Sequence, residues 1–123
     1  RPLFPRGRNG MNEMLKFLKT GNCIAVLFDQ VMGRGEPLSF FGKTAYTATS
    51  VAKMAVKYNA LLIPFFAERQ SDGFNFELHF DEPIHHREPE KMTQQLNDLL
   101  EERIRTKMDQ WLWTHKRWKN PLA

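Results

Sequence analysis

The stretch NCIAVLFDQVMGRGEPLSFFG, residues 22–42, decides the predicted fold. Six apolar residues, 23–28, come directly before Asp29 and Gln30. An apolar run this short that contains β-branched residues is typical of a strand buried on both faces. In open α/β sheets, ligands bind just beyond the carboxyl ends of the strands. Asp29 and Gln30 are therefore the first polar side chains that we expect in a functional site.

The composition is typical of one folded domain, residues 1–123. Hydrophobic residues make up 41% of the chain and aromatic residues 12%, which suits a packed core rather than disorder. The single cysteine, Cys23, lies in the apolar run, so we expect it to be buried and to imply no disulfide framework. No apolar run approaches the roughly 20 residues that a membrane-spanning helix needs.

The charge is distributed unevenly along the chain. The net charge is +4, but residues 1–60 carry nine Lys/Arg against three Asp/Glu, whereas residues 61–123 carry nine against eleven. A basic first half suits phosphate groups, anionic lipid headgroups or nucleic acid, and composition alone does not choose among them.

Three helices are predicted from apolar residues at three- and four-residue spacing. The expected boundaries are Asn9 or Asn12 as the cap of the first helix and Gly21 as its end, Thr47 or Ser50 as the start of the second and Asn59 as its end, and Pro89 in the first turn of the third.

Two further strands are predicted in the second half of the chain. Residues 60–67 form a second apolar run, with Pro64 at a bulge or facing a sheet edge, since proline removes a ladder donor. After a turn at 71–73, apolar and polar residues alternate over 74–80, which indicates an antiparallel hairpin with its apolar face on the core. The predicted fold is α/β, a mixed sheet with a βαβ crossover and an antiparallel hairpin, flanked by helices.

Polar residues follow both apolar runs, Asp29 and Gln30 after the first and Glu68 and Arg69 after the second. If the two strands are parallel, these side chains share one sheet edge, where they could position a substrate. Helix capping and a local ion pair explain them equally well. A metal-dependent phosphoesterase that uses Asp29 and Glu68 is disfavoured, because two carboxylates without further ligands make a poor metal site. We predict no metal site and no cofactor.

Two short motifs carry weaker signals. The loop Gly33-Arg34-Gly35 could let backbone amides approach a phosphate, but it lacks the P-loop pattern and an ordinary turn explains it. His85 and Glu90 match H-x-x-x-x-D/E, a pair that can deprotonate a hydroxyl. The pair spans a proline in a polar loop, so we interpret it as coincidence and predict no catalytic residue.

The end of the chain combines aromatic and basic residues. Indole rings favour membrane interfaces and cations favour anionic headgroups, although the same rings could cover the core or stack on bases. We expect a mixture, with one of the first two tryptophans inside. The membrane-interface candidates are Trp111, Trp113, Arg117 and Trp118.

An ordered series of short motifs resembles the lipid A biosynthesis acyltransferases, bacterial enzymes within the wider glycerolipid acyltransferase group. The series is LKTG at 18–21, FDQ at 28–30, FFG at 40–42, IPFFAER at 63–69 and QWLWTHKRWK at 110–119. Each motif is weak alone, and their order over nearly the whole chain makes the resemblance specific.

The resemblance implies transfer of a fatty acyl group from acyl carrier protein, or acyl-CoA, to a hydroxyl of a lipid A precursor in lipopolysaccharide biosynthesis. It implies an α/β fold at the cytoplasmic face of the bacterial inner membrane, against an anionic membrane surface. The substrate-binding candidates that follow from it, or from charge and position, are Asp29, Gln30, Arg34, Phe40, Phe41, Gly42, Pro64, Glu68 and Arg69, with Arg6 and Arg8 as remnants of a basic motif.

The family's catalytic His-x-x-x-x-Asp/Glu motif and membrane anchor lie upstream of the FDQ motif, and this sequence begins Arg1-Pro2. We therefore expect the C-terminal half of an acyltransferase domain, inactive alone, that supplies substrate positioning. An exposed sheet edge would let such a chain form a homodimer. The alternative function is a noncatalytic module that binds anionic lipid or nucleic acid.

Overall fold

A computed structural model describes residues 3–5, 7–31 and 35–119. The α/β class is confirmed, and all three predicted helices are present. The elements in chain order are α1 (Arg8–Lys19), β1 (Glu36–Phe40), β2 (Lys43–Thr47), α2 (Ser50–Tyr58), β3 (Phe65–Arg69), β4 (Phe76–Phe80), α3 (Pro89–Thr106) and a short 3₁₀ turn (Met108–Gln110).

Helix α3 organises the packing because its apolar stripe contributes to both core clusters. Its first half packs with α2 and Ile84, and its second half packs with the β1–β2 hairpin. Pro89 lies in the first turn of α3, as predicted, where its missing N–H costs no helical hydrogen bond. The buried apolar residues of the two clusters are Ala52, Ala55, Ile84, Met92 and Leu96 in one, and Phe40, Ala45, Leu100 and Ile104 in the other.

Most helix boundaries agree with the sequence. Asn59 ends α2 with a φ of 50°, and Gly21 follows α1 with a φ of 82°, both in the left-handed region that ends helices. The predicted asparagine cap of α1 is wrong, because the helix begins at Arg8 and no side chain caps it.

The predicted buried strand at residues 23–28 is wrong. These residues adopt no regular structure, Cys23 is exposed, and Leu27 is 78% exposed. A strand needs neighbouring strands to satisfy its backbone amides and carbonyls, and none among the described residues lies beside this one. The βαβ crossover and the mixed sheet are therefore not formed, since both sheets of the described chain are two-stranded antiparallel hairpins.

The first hairpin, β1–β2, was not predicted. Phe40 pairs with Lys43, so Phe41 and Gly42 form a two-residue turn with φ values of 52° and 68°. Such tight turns need positive φ at both positions to match the twist of the strands. Glycine adopts this conformation readily, whereas the phenylalanine is strained. The FFG motif is thus a hairpin turn.

The second hairpin, β3–β4, is antiparallel as predicted. Its turn is held by Asp72 Oδ1, which accepts hydrogen bonds from the N–H groups of Phe74 (3.0 Å) and Asn75 (2.9 Å). Pro64 lies just before β3, so the ladder loses no donor, and its carbonyl accepts the N–H of Asp81 at 3.0 Å.

The apolar face of this hairpin points the opposite way from the prediction. Phe76, Leu78 and Phe80 are 57%, 54% and 66% exposed. The polar face turns inward because α3 and the residue after it offer cations there, with Lys107 Nζ 3.0 Å from Glu68 and Arg103 2.7 Å from Asp81. Phe66 lies on the same inward face and packs beside Leu100 and Ile104, so one buried ring and two ion pairs together hold this face of the hairpin against the helix.

Candidate functional site

The tail, residues 111–119, packs across the first hairpin. Trp118 donates its indole N–H to the Phe40 carbonyl at 3.0 Å. The Phe40 ring is fully buried between two indoles, with centroids 5.7 Å from Trp111 and 5.6 Å from Trp118. Aromatic pairs at such distances contribute beyond the area that they bury, so the tail and the FFG turn form one aromatic cluster.

Arg117 is completely buried beneath this cluster. Its guanidinium donates to Thr47 Oγ1 (2.6 Å), to the Tyr46 carbonyl (3.2 Å) and to Asn97 Oδ1 (3.4 Å), and it lies 5.1 Å from the centre of the Phe40 ring. Among the described residues no carboxylate comes within ion-pairing distance of it, and its Nε has no hydrogen-bond partner. Arg117 therefore ties the tail to β2 and α3 through neutral oxygens.

Asp29 is the charged group that acts on this buried cation. Burial lowers the pKa of Arg117, and the half-buried Asp29 carboxylate raises it in part. The next residues are held by the tail as well, because the Val31 N–H donates to Nε2 of His115 at 3.1 Å. The His115 ring is thus an acceptor at Nε2, and it fixes the loop that carries Asp29 and Gln30 against the tail.

Polar side chains of α3 hold the outer edge of β1 on the other side. Gln94 makes two hydrogen bonds with the Ser39 backbone, at 2.9 and 3.0 Å. Asn97, fully buried, donates to the Ser39 carbonyl at 2.9 Å. Glu101 accepts the N–H of the strained Phe41, and Arg105 lies 4.9 Å above the centre of its ring. The turn is therefore held in its strained conformation by one face of the helix.

An open groove of about 170 Å³ lies between the turn and the tail. Three aromatic rings form its walls, and the Lys43 side chain stands beside them. Ligand pockets usually enclose about 300–1,000 Å³, so this groove could hold only part of a ligand. Its lining residues are Phe41, Lys43, Trp113 and Trp118.

A larger cavity, about 270 Å³, opens along the other side of α3. The Arg103–Asp81 ion pair forms part of its wall, with Leu99, Glu102 and Thr106. None of the substrate-binding candidates lines it, and its cation is already paired.

The predicted substrate residues separate into two groups. Phe40, Phe41 and Gly42 lie at the aromatic cluster, to which the tail also ties the loop of Asp29 and Gln30. Pro64, Glu68 and Arg69 belong to the second hairpin, where Glu68 pairs with Lys107, and Arg69 stacks 5.4 Å from the Phe76 ring centre. Because no parallel sheet forms, the predicted shared edge of Asp29 and Glu68 does not exist in the described chain.

Part of the predicted basic site lies outside the described residues. Arg6, Gly33 and Arg34 belong to that part, as does the side chain of Arg8. Gly35 is described and has a packing role, because a Cβ there would lie 2.5 Å from the Thr47 backbone nitrogen.

One of the four membrane-interface candidates does not lie at the surface of the tail. Arg117 is buried and does not reach the surface, while Trp111 and Trp118 are half-buried in the aromatic cluster. Trp113 is 47% exposed and its neighbour Leu112 is 67% exposed. These two are the large apolar side chains of the tail that are exposed.

Sequence reasoning missed Thr47, Asn97 and His115. Asn97 had a readable signal, because it lies on the helical stripe of Thr93, Leu96, Leu100 and Ile104, and a polar residue on a buried stripe needs a partner. Nothing local marked Thr47 or His115, whose partners are 70 and 84 residues away in sequence.

Two general features of the described residues bear on chemistry. Nowhere among them do three His, Cys, Asp or Glu side chains come together as a set that could hold a metal ion. Of the helices in that part of the chain, none has the length and apolar content needed to cross a membrane.

Comparison with known families identifies the class. The family model described as bacterial lipid A biosynthesis acyltransferase matches residues 3–120, nearly the whole chain. The chain therefore belongs to this family, and the resemblance of its motifs is confirmed. No curated protein matches the chain. The family indicates acyl transfer in lipid A synthesis, with an acyl donor and a lipid acceptor.

Proposed function

We propose that this chain positions the lipid acceptor while a fatty acyl group passes to a hydroxyl of a lipid A precursor. The donor in this proposal is acyl carrier protein or acyl-CoA, and the reaction takes place at the cytoplasmic face of the bacterial inner membrane. Family membership supports acyl transfer in lipid A synthesis. The observation that supports the positioning role is the aromatic groove beside the FFG turn.

The groove combines the two chemistries that a phosphorylated glycolipid presents. The rings of Phe41, Trp113 and Trp118 offer apolar walls for an acyl segment. Lys43 lines the groove, and Arg105, which also lies 3.8 Å from Glu101, stands over the Phe41 ring, so two cations lie beside those walls. Phosphate binds such cations by charge-assisted hydrogen bonds, so the groove fits an acyl chain that emerges next to a phosphate.

Asp29 and Gln30 have a positioning role in this proposal. The Asp29 carboxylate is half-buried, and its loop is fixed by His115, so it can accept a hydrogen bond from an acceptor hydroxyl in a defined place. Glu68, Pro64 and Arg69, which lie apart on the second hairpin, stay substrate-contact candidates in this proposal. Arg34, outside the described residues, stays a phosphate-contact candidate by its charge.

No residue of the chain is assigned as the catalytic base. His85 and Glu90 are the one pair with H-x-x-x-x-D/E spacing in the sequence. Both side chains are exposed, and they form neither an ion pair nor a hydrogen bond with each other. We therefore expect no acyl transfer when the chain is assayed alone with acyl-acyl carrier protein and a lipid A precursor. Transfer that disappeared in His85→Ala would contradict this assignment.

The groove is tested by binding to vesicles that contain a lipid A precursor in neutral phospholipid. Lys43→Glu should weaken binding about tenfold, because it replaces an attractive charge at the groove with a repulsive one. Lys53→Glu is the matched control, since Lys53 is an exposed residue of α2 and the net charge changes equally. Equal weakening by the two variants would show that only net charge matters and would remove the role of the groove.

The same aromatic and basic surface favours one alternative, a noncatalytic module for anionic lipid or nucleic acid. Binding of an oligonucleotide driven by phosphate contacts falls steeply with salt. Acyl-dependent lipid binding should persist at 0.5 M salt, because apolar contacts are not screened. Oligonucleotide binding tighter than vesicle binding at low salt would favour the alternative.

A further inference from the structure

Strand β4 has an outer edge that nothing in the described chain covers. The hydrogen bonds from Gln70 N–H to the Asn75 carbonyl (2.8 Å) and from Asp81 N–H to the Pro64 carbonyl (3.0 Å) set the register of the hairpin. In that register the backbone groups of Glu77 and His79 point to β3, and those of Phe76, Leu78 and Phe80 point away from it. No hydrogen bond from the described residues reaches these outward groups.

Two other strand edges of the described chain are protected by proline or by side-chain hydrogen bonds. On β1, Pro37 removes one donor, and Gln94 and Asn97 bond the Ser39 backbone. On β3, the Gln110 amide makes two hydrogen bonds with the Arg69 backbone, at 2.8 and 3.0 Å. Natural proteins protect sheet edges in such ways, with proline, lysine or covering groups. The sequence of β4, FELHF, contains neither proline nor lysine.

The sequence of β4 is complementary to itself in the antiparallel direction. Read from either end, it gives an aromatic, a titratable, an apolar, a titratable and an aromatic residue. If two copies pair about Leu78, then Leu78 lies opposite the partner's Leu78, and Phe76 opposite the partner's Phe80. Glu77 then lies opposite the partner's His79, in the non-hydrogen-bonded positions where side chains approach most closely.

Neighbouring registers lose this match. If the partner strand slides by two residues in one direction, Glu77 lies opposite the partner's Glu77. If it slides by two residues in the other direction, His79 lies opposite the partner's His79. Two carboxylates directly opposite each other destabilise a strand pair, and two opposed imidazoles lose the carboxylate that would accept a hydrogen bond. The charge pattern therefore selects one register.

We propose that β4 pairs with β4 of a second copy of this chain, giving an antiparallel four-stranded sheet in the order β3-β4-β4-β3 about a twofold axis at Leu78. The pairing satisfies the outward backbone groups and covers part of three exposed apolar side chains. It also supplies an acceptor for Nε2 of His79, a buried atom without a hydrogen-bond partner among the described residues. In its own chain this ring faces Glu68 at 3.7 Å and Glu77 at 3.9 Å, with Lys107 behind Glu68. Both copies use the same surface in this twofold contact, so the assembly stops at a dimer.

A cysteine placed on the twofold axis tests this register directly. In a Cys23→Ser background, Leu78→Cys should form a disulfide-linked dimer under mild oxidation, because paired Cα atoms lie about 5.5 Å apart, within disulfide range. Ala67→Cys is the matched control, an exposed position on the same face of β3. Its two copies would lie three strand spacings apart, roughly 14 Å, so it should stay unlinked. No link at Leu78→Cys, or equal linking at both positions, overturns the proposal.

The charge pattern gives a second test, read as the dimer dissociation constant by analytical ultracentrifugation. Glu77→His and His79→Glu each place like residues opposite each other and should weaken the dimer about tenfold. The double variant Glu77→His/His79→Glu restores both opposite pairs and should return the constant to within about threefold of the wild type. A wild-type chain that sediments as a monomer, or a double variant no better than the singles, contradicts the pairing.

Discussion

The two hairpins of this chain are built from strands of the same length, yet they meet α3 in opposite ways. The first turns its apolar residues inward, so that Phe40 and Ala45 are fully buried. The second turns a mixed face, with Phe66, Glu68 and His79, toward the helix and leaves Phe76, Leu78 and Phe80 exposed. The difference follows from α3, which presents Leu100 and Ile104 to the first hairpin, whereas its end presents cations to the second.

The two hairpins also differ in how firmly their outer surfaces are held. The strands of the first hairpin are held by buried polar contacts from Asn97 and Arg117, and Glu101 accepts the N–H of its strained turn beside the groove. Such support suits the positioning role proposed for this hairpin, because small displacements of binding groups lower their effect. The second hairpin has few contacts of this kind on its outer face, which suits a surface that meets another molecule.

The largest effect that we expect on stability comes from Arg117→Ala. This variant removes a donor from the Tyr46 carbonyl, Thr47 Oγ1 and Asn97 Oδ1, and it opens a cavity under Phe40. Unpaired buried acceptors and a cavity together should cost about 3 kcal/mol in the free energy of unfolding. Urea unfolding followed by tryptophan fluorescence measures it. Lys119→Ala, at an exposed position nearby, is the control and should change stability by less than about 0.5 kcal/mol.

A loss below about 1 kcal/mol in Arg117→Ala would mean that the tail is not anchored by this side chain. Arg117→Lys refines the result, because lysine keeps the charge but lacks the planar fork of donors. We expect its stability to lie between those of the wild type and Arg117→Ala.

A smaller effect on stability is expected when the side chains that bond the strand edges of the two hairpins are removed. Asn97→Ala and Gln110→Ala each remove an amide that bonds a strand edge, the first buried and the second exposed. We expect a cost of about 2 kcal/mol for Asn97→Ala, since its partners are left without water, and about 0.5 kcal/mol for Gln110→Ala, where water replaces the amide. Chemical denaturation of both variants provides the measurement. Equal losses of stability in the two variants would contradict this difference between a buried and a solvent-exposed hairpin edge.

The smallest expected effect concerns the turn of the second hairpin. Backbone hydrogen bonds from Asn75 and Phe74 lower the pKa of Asp72 below the usual aspartate range. A lowered pKa in the folded state stabilises the fold at neutral pH, and that contribution is lost as the pH falls through the folded-state pKa. Asp72→Ala should therefore be slightly less stable than the wild type at pH 7, with the difference disappearing near pH 2. Thermal unfolding at both pH values checks this, and a difference that grew on acidification would contradict it.

Local patterns in the sequence were sufficient for the helices and for the second hairpin. The apolar spacing of α3, Asn59 as a helix end and the turn at 71–73 each depend on a few neighbouring residues. Family membership, with acyl transfer as its activity, was also readable, because the motifs occur in order along the chain.

The rest depended on contacts distant in sequence. An apolar run such as 23–28 becomes a strand only where neighbouring strands exist, and those described here pair with each other instead. The burial of Arg117 required oxygens from Tyr46, Thr47 and Asn97 to converge, and no local pattern shows such convergence. The inward face of β3–β4 is held by the packing of Phe66 and by ion pairs with Arg103 and Lys107, which alternation within β4 does not reveal.

The measurement that tests the central claim most directly is quenching of single tryptophans by lipid with brominated acyl chains. Trp111→Phe/Trp118→Phe retains Trp113, which lines the groove and is 47% exposed. Trp113→Phe/Trp118→Phe retains Trp111, which is half-buried against Phe40. If acyl chains enter the groove, Trp113 fluorescence should be quenched strongly by a brominated lipid A precursor and Trp111 fluorescence only weakly. Equal quenching of the two, or quenching of neither, would contradict the assignment of this groove to the lipid acceptor.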